Sequence, residues 1–206
     1  MVLECGSLEN SPDLLNPILM VLTYQISKEI YLEEKNKSNH NRKNIVIMDE
    51  AHKFPGKSAH VEIFVEQAYR RFRKHGASML LGTQGFEDLY GGDSVSKVGR
   101  VIIENSFWNF FLMQRSTSRE KIKKSGFFNL SSYAYALMDN TAPADGEYGE
   151  IFIMTDKVQT KGRVVLDKFL QTLLFTDADL RSKMNKLVSQ GMSHLDAVKH
   201  ILEDKH

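Results

Sequence analysis

The chain has 206 residues, of which 42% are hydrophobic and 26% charged, the make-up of an ordinary globular protein. A formal net charge of +1 gives no global attraction for nucleic acid, membrane surfaces or acidic partners. The single cysteine, Cys5, excludes an internal disulfide and fits a reducing compartment. No apolar run approaches the ~18 residues of a membrane span, and the N-terminus lacks the basic-then-apolar order of a signal peptide. A cytosolic protein is the expectation.

In chain order, Met1–Glu4 reads as the tail of a strand that enters a turn, which suggests a longer natural chain. Asn16-Pro17 has the chemistry of a helix cap followed by a first helical residue. Ile18, Leu22, Ile26 and Ile30 then recur every four residues, so a helix is expected over about 17–34. The polar run at 33–44 reads as a solvated loop. Ile45-Val46-Ile47-Met48 is a short apolar run ending in acids, as in a strand buried on both faces of a parallel sheet. Val61, Phe64, Val65, Ala68 and Phe72 form the stripe of a helix, which Gly76 stops.

Ala77–Gly82 reads as a second buried strand, and Thr83-Gln84-Gly85 as the turn out of it. Residues 101–105 end a short helix or connector, and Phe107–Met113 is a third strand, with Trp108, Phe110 and Phe111 as sheet core. Glu147–Thr155 and Gly162–Phe169, split by polar Asp156–Lys161, make a hairpin. Two short helices follow. Asp177–Gln190 ends at Gly191, and Ser193 with Asp196 resembles a capping box opening the last. The alternation of strand and helix predicts an α/β fold, a partial doubly wound sheet with a C-terminal hairpin and short terminal helices. The expected division is 1–145 for the sheet core and 146–206 for the hairpin and helical extension.

Asp49 and Glu50 follow directly on the apolar strand 45–48. That places two carboxylates at the carboxyl edge of a parallel sheet, where such sheets bind ligands. This is the form of a Walker B motif. There the first acid, Asp49, holds Mg²⁺ and the second, Glu50, orients and deprotonates the water that attacks a γ-phosphate. Two solvated loop acids after a strand are the plainer alternative. Thr83 and Gln84, at the end of the next strand, fit the polar γ-phosphate sensor of RecA-like motors; an ordinary polar strand end is the alternative.

Asp49-Glu50-Ala51-His52 spells the label of DEAH-box helicases, but those pair it with Ser-Ala-Thr where this chain has Gly82-Thr83-Gln84. Arg70, Arg71, Arg73 and Lys74 surround Phe72 near a helix C-terminus. They either complement the helix dipole or reach a neighbouring subunit's phosphates. Gly56-Lys57-Ser58 looks like the tail of a Walker A loop, yet Ala51 stands where the upstream glycine is needed and Pro55 interrupts the loop. The sequence offers no other phosphate loop, and its histidines have no partners at metal-ligand spacing.

Taken in order, Asp49-Glu50, the run Tyr69-Arg70-Arg71-Phe72-Arg73-Lys74-His75-Gly76, Thr83-Gln84, and Glu104-Asn105-Ser106 before an apolar strand resemble the TraC-type conjugative-transfer ATPases of type IV secretion systems. The resemblance spans residues 1 to about 190. It implies a RecA-like core that works as a hexamer, cytoplasmic but peripheral to the inner membrane through the secretion channel and coupling proteins. It also implies that ATP and Mg²⁺ serve the full-length parent, with none expected on this chain, which lacks Walker A. Whether the chain by itself is an enzyme stays open. The alternatives are a non-catalytic docking module of the secretion apparatus and a DEAH-type helicase fragment. Nucleic acid as a partner has no support from charge.

Overall fold

A computed structural model describes residues 11–33, 43–50, 58–91, 94–144, 147–174 and 177–203. The expected N-terminal strand, Cys5, most of the polar loop and Gly56-Lys57 lie outside the described residues. The chain divides into two compact units, one of residues 1–109 and 114–132, the other of 110–113 and 133–206.

The first unit is built on a parallel pair, β1 (Asn44–Met48) and β2 (Ala77–Leu81), joined through α2 (Ala59–Arg71). The stripe read from the sequence is the reason for α2: Val61, Phe64, Val65 and Ala68 are all buried, and so is Phe72 just beyond. Burying side chains of this size stabilises by about 1.5–3 kcal/mol each. After Arg71 the helix tightens into a 3-10 turn, Phe72–His75, and Gly76 closes it in the left-handed conformation with φ 64°. Phe64, Tyr31 and Phe72 meet edge-on, which ties α2 to α1 (Pro12–Glu33).

Helix α1 opens at Pro12, not at the expected Pro17: the Ser11 carbonyl accepts from the amides of Leu14 and Leu15, so Ser11-Pro12 supplies the opening chemistry. Pro17 lies inside α1, where its missing N–H leaves only the carbonyl of exposed Asp13 to solvent. Nor is β1 buried on both faces. Val46, Met48, Met79 and Leu81 face the helices, whereas Ile45 and Ile47 are each 67% exposed and Leu80 is 49% exposed. Among the described residues this sheet has two strands and one covered face.

Beyond β2 come a 3-10 turn, Phe86–Leu89, and a two-residue antiparallel ladder of β3 (Tyr90–Gly91) with β4 (Ser94–Val95). Helix α3 (Lys97–Asn105) follows, and its Ser96 side chain caps the Gly99 amide at 2.9 Å. α3 runs so close to the preceding turn that a Cβ on Gly99 would stand 2.2 Å from the Leu89 carbonyl oxygen. The sequence reading did not detect α4 (Ser116–Ser125), a polar helix that buries Ser118 and Ile122.

In the second unit, β6 (Gly149–Met154) and β7 (Gln159–Val164) form the expected antiparallel hairpin, with Gly149 opposite Val164. Its turn is shorter than expected. The Thr155 amide donates to the Val158 carbonyl at 2.8 Å, so Gln159–Lys161 already belong to β7. β7 is an edge strand, which explains how polar residues are accommodated. Residues 165–169 are not strand, and Phe169 lies in a helix the sequence did not signal, α6 (Lys168–Leu174).

The expected third strand is shorter and elsewhere: β5 (Asn109–Phe111) pairs with β6, not with β1 or β2. Its residues are not core either, apart from Phe111, which packs on Phe152; Trp108 and Phe110 are exposed. Helix α5 (Ser132–Asp139) precedes the hairpin, and Lys161 joins it to β6 by donating to the Asn140 carbonyl and the Glu150 carboxylate. α7 (Ala178–Ser189) and α8 (His194–Glu203) enclose Met184, Ala197, Val198 and Ile201. Asp177 caps α7, and Ser193 with Asp196 opens α8 as expected, the serine hydroxyl accepting the Asp196 amide. The architecture is mixed α/β with small sheets and several helices.

Candidate functional site

The register of the first sheet decides what meets at its carboxyl edge. Met48 lies opposite Leu81, and the Gly82 amide donates to the Met48 carbonyl at 2.9 Å as the last rung. The two following segments, Asp49-Glu50 and Thr83-Gln84, must therefore leave the sheet side by side. They do. The Gln84 Nε2 amide lies 3.5 Å from Glu50 Oε1, at the outer limit of a hydrogen bond, and so brings together side chains 34 positions apart.

Glu50 reaches that position through an unusual backbone. It is the one non-glycine residue with positive φ among the described residues, at 49°. This left-handed conformation costs an L-residue roughly 1–2 kcal/mol. Strain of this kind persists where surrounding contacts hold it, and it gathers at functional sites. Here one holding contact is local: the Glu50 amide donates to Asp49 Oδ1 at 2.8 Å. Asp49 is itself exposed, so its carboxylate stays open to a ligand.

The neighbouring strand makes room for that carboxylate. A Cβ on Gly82 would stand 2.9 Å from Asp49 Oδ1, inside an ordinary contact, so glycine at 82 lets the acid lie against β2. Thr83 turns its hydroxyl to the Asp88 carboxylate, and the Gly85 amide donates to the same Asp88 oxygen at 3.2 Å. Next to it, Glu87 accepts from the buried Ser118 hydroxyl of α4 at 2.6 Å. Desolvation pushes the Glu87 carboxyl up. The Ser118 hydroxyl, its own backbone amide, Lys121 and Thr117 together outweigh that and hold it below the usual range.

The donor set suits one divalent ion held with phosphates. Among the described residues no group of three or more His, Cys, Asp or Glu side chains converges on a metal position. A hard ion such as Mg²⁺ uses one or two carboxylates and takes its remaining oxygens from phosphate and water. Asp49, exposed at the sheet edge, is the residue that could hold such an ion, with Glu50 beside it.

The sequence is 30% identical over 115 residues to Protein TraC of Escherichia coli (strain K12), a match covering 55% of this chain and 12% of TraC. The fold matches VirB4 of Thermoanaerobacter pseudethanolicus with a TM-score of 0.57 and 17% identity, over 80% of this chain and 41% of that one. The chain is similar to a part of TraC in sequence and to a part of VirB4 in fold. No protein-family model matches it. The chain thus spans only a part of either relative's length.

The basic run lies away from the two acids. α2 delivers the chain to the amino end of β2, where the Gly76 carbonyl accepts from the Asn44 amide at the start of β1. The four steps from Ala77 to Leu81 separate that end from the acidic edge by roughly 13 Å. Arg70 is drawn back along α2 by Glu66, at 3.4 Å, and the same Glu66 meets Lys97 at 3.1 Å. Arg71, Arg73 and Lys74 are exposed. Asp49, Glu50, Thr83 and Gln84 are therefore brought together, and the four cations are not brought to them.

Gly82, Asp88, Glu87 and Ser118 escaped the sequence reading. One signal was present: Gly85-x-x-Asp88 has the spacing at which an acid reaches back to the amide that opens a helical turn. Ser118 carried none, since only tertiary packing brings α4 to Glu87.

Proposed function

We propose that the chain is the acidic-motif part of a motor ATPase of type IV secretion, with a RecA-like core whose phosphate-binding loop lies outside this sequence. The observation that carries the reading is the Gln84 amide on the Glu50 carboxylate at 3.5 Å, on the carboxyl edge of a parallel sheet. The likeness to TraC and VirB4 supports the assignment to conjugation and secretion.

ATP with Mg²⁺, when bound, supplies the transferred phosphoryl group and the charge that offsets its negative oxygens. Asp49 would hold the metal. Glu50, turned off the strand line by its left-handed backbone, orients and deprotonates the attacking water. Gln84 occupies the same edge and reads the γ-phosphate through its contact with Glu50. The Arg70–Lys74 segment, at the other edge, serves a neighbouring copy in a hexamer, with Arg71 and Arg73 better placed than Arg70, which Glu66 holds back. The assembly is cytoplasmic and joins the inner membrane through channel and coupling proteins; no helix among the described residues is long and apolar enough to cross a membrane.

The test is titration of the chain with a fluorescent ATP analogue, with and without Mg²⁺. Without the amides and lysine of a phosphate loop, binding is expected to be weak, Mg²⁺-dependent and lost in Asp49→Ala. Affinity tighter than about 1 μM, or binding indifferent to Mg²⁺, overturns the reading.

A second reading, a non-catalytic docking module, is favoured by the open face of Ile45, Ile47 and Leu80. Under it, Glu50→Gln in the longer protein leaves transfer intact; under the motor reading transfer stops.

A further inference from the structure

Gln84 matters only if it is held toward Glu50, and its own contact, 3.5 Å long and exposed, is too weak to do the holding. Beyond Gly82 the turn has left the sheet, and Thr83 and Gln84 are both exposed. Exposed polar side chains in such turns sample several rotamers within nanoseconds. Something else must fix the segment.

The contacts on either side of Gln84 supply it. A single oxygen, Asp88 Oδ2, accepts from the hydroxyl of Thr83 and from the amide of Gly85. These are the residues immediately before and after Gln84. Gripping both fixes the Gln84 backbone, and with it the point from which the side chain reaches Glu50. Clamp and Gln84 contact alike use a carboxylate acceptor, so the clamp prevails by number and length: two bonds on one oxygen against one contact of 3.5 Å. The 3-10 turn carrying Asp88 is itself fastened: Phe86 is buried against Tyr90 and Phe128, and Glu87 accepts from Ser118 of α4. A Cβ at Gly85 would stand 2.6 Å from Glu87 Oε2, so a larger residue there would displace the carboxylate that Ser118 holds.

We propose that Asp88 is a positioning residue, which holds Gln84 against Glu50 by accepting hydrogen bonds from both of its chain neighbours. The inference rests on the motor reading for its purpose, and on geometry alone for its existence. Asp88 touches no reacting atom; it acts through Gln84.

The experiment is ¹⁵N relaxation of the Gln84 side-chain amide in the full 206-residue chain, compared among wild type, Asp88→Ala and Asp88→Asn. The β2 amides, followed by hydrogen exchange, report whether each variant keeps the sheet. In Asp88→Ala the Gln84 order parameter is expected to fall below about 0.6, the flexible range. In Asp88→Asn the amide oxygen can take the place of Oδ2 for both donors, so the wild-type value is expected to return. An unchanged Gln84 in Asp88→Ala, or equal loosening in Asp88→Asn, overturns the proposal. Should Asp88→Ala fail to fold, Thr83→Val removes one donor while keeping the branched shape. It must then loosen Gln84 by itself, and no loosening refutes the clamp. Titration with Mg²⁺ and ATP separates the two readings. If Gln84 loosens in Asp88→Ala while Asp49→Ala leaves nucleotide binding unchanged, the clamp stands and the motor reading falls.

Discussion

Replacing Glu50 by alanine and by glycine isolates the backbone strain at the site. Both variants lose the carboxylate and the Gln84 contact, so those losses cancel in the comparison. What remains is the residue's φ of 49°. Alanine forced into the left-handed region is destabilised by roughly 1–2 kcal/mol, while glycine occupies it freely. Against this, glycine loses about 0.5–1 kcal/mol more on folding through its freer unfolded chain. The difference leaves Glu50→Gly more stable than Glu50→Ala by about 0.5–1 kcal/mol, the reverse of the order at an ordinary helix or strand position. With a urea dependence of about 2 kcal/mol per molar, the unfolding midpoint followed by circular dichroism should lie about 0.3–0.5 M higher for the glycine variant. If alanine proves equal or better, Glu50 is not left-handed, and the bend that aims it at Gln84 is wrong.

Other outcomes follow from the same packing. Gly82→Ala puts a Cβ 2.9 Å from Asp49 Oδ1, so the carboxylate must leave its rotamer and its bond to the Glu50 amide. Those two effects total about 1–2 kcal/mol, and Mn²⁺ titration followed by electron paramagnetic resonance, with ATP present, should show affinity weakened about 5–30-fold. Equal affinity would mean Asp49 does not hold the metal. Gly99→Ala meets a backbone carbonyl at 2.2 Å, which cannot swing aside. A loss of about 1–3 kcal/mol is expected, lowering the melting temperature by about 2–4 °C per kcal/mol, and an unchanged temperature would refute the close approach of α3 to Leu89. Glu87, held below its ordinary 4.5, contributes stability that is present above that pH and lost as pH falls through the lower folded value. The stability gap between wild type and Glu87→Gln should therefore close as acid denaturation passes below pH 4.5; a gap that stays constant contradicts the Ser118 link.

The sequence made α2 and the acidic edge legible for a physical reason. Every residue of the stripe from Val61 to Phe72 is buried, and a short apolar run ending in acids has few other homes than a strand leaving a sheet. Where one local signal was read as sufficient, tertiary context changed the outcome. Asn16-Pro17 has sound opening chemistry, but Ser11-Pro12 has it too and comes first. Ile45 and Ile47 look like a doubly buried strand by composition, yet burial depends on what packs on each face, which no single segment specifies. Phe107–Met113 is apolar throughout, and that hid both its shortness and its pairing with β6. α4 was invisible because it buries a serine and an isoleucine in an otherwise polar decapeptide. The Asp88 clamp was half-legible through its spacing, and the Glu87–Ser118 link not at all.

On the motor reading, one metal–nucleotide complex lies across the ends of β1 and β2. Paramagnetic broadening of backbone amides by Mn²⁺ with ATP tests it most directly, since the effect fades steeply with distance and needs no tight binding. Residues 48–50 and 82–85 should broaden first and together, and the Arg70–Lys74 segment only later, at higher Mn²⁺. Broadening that starts elsewhere, or reaches Asp49 without Gln84, rules out a nucleotide site at this sheet edge.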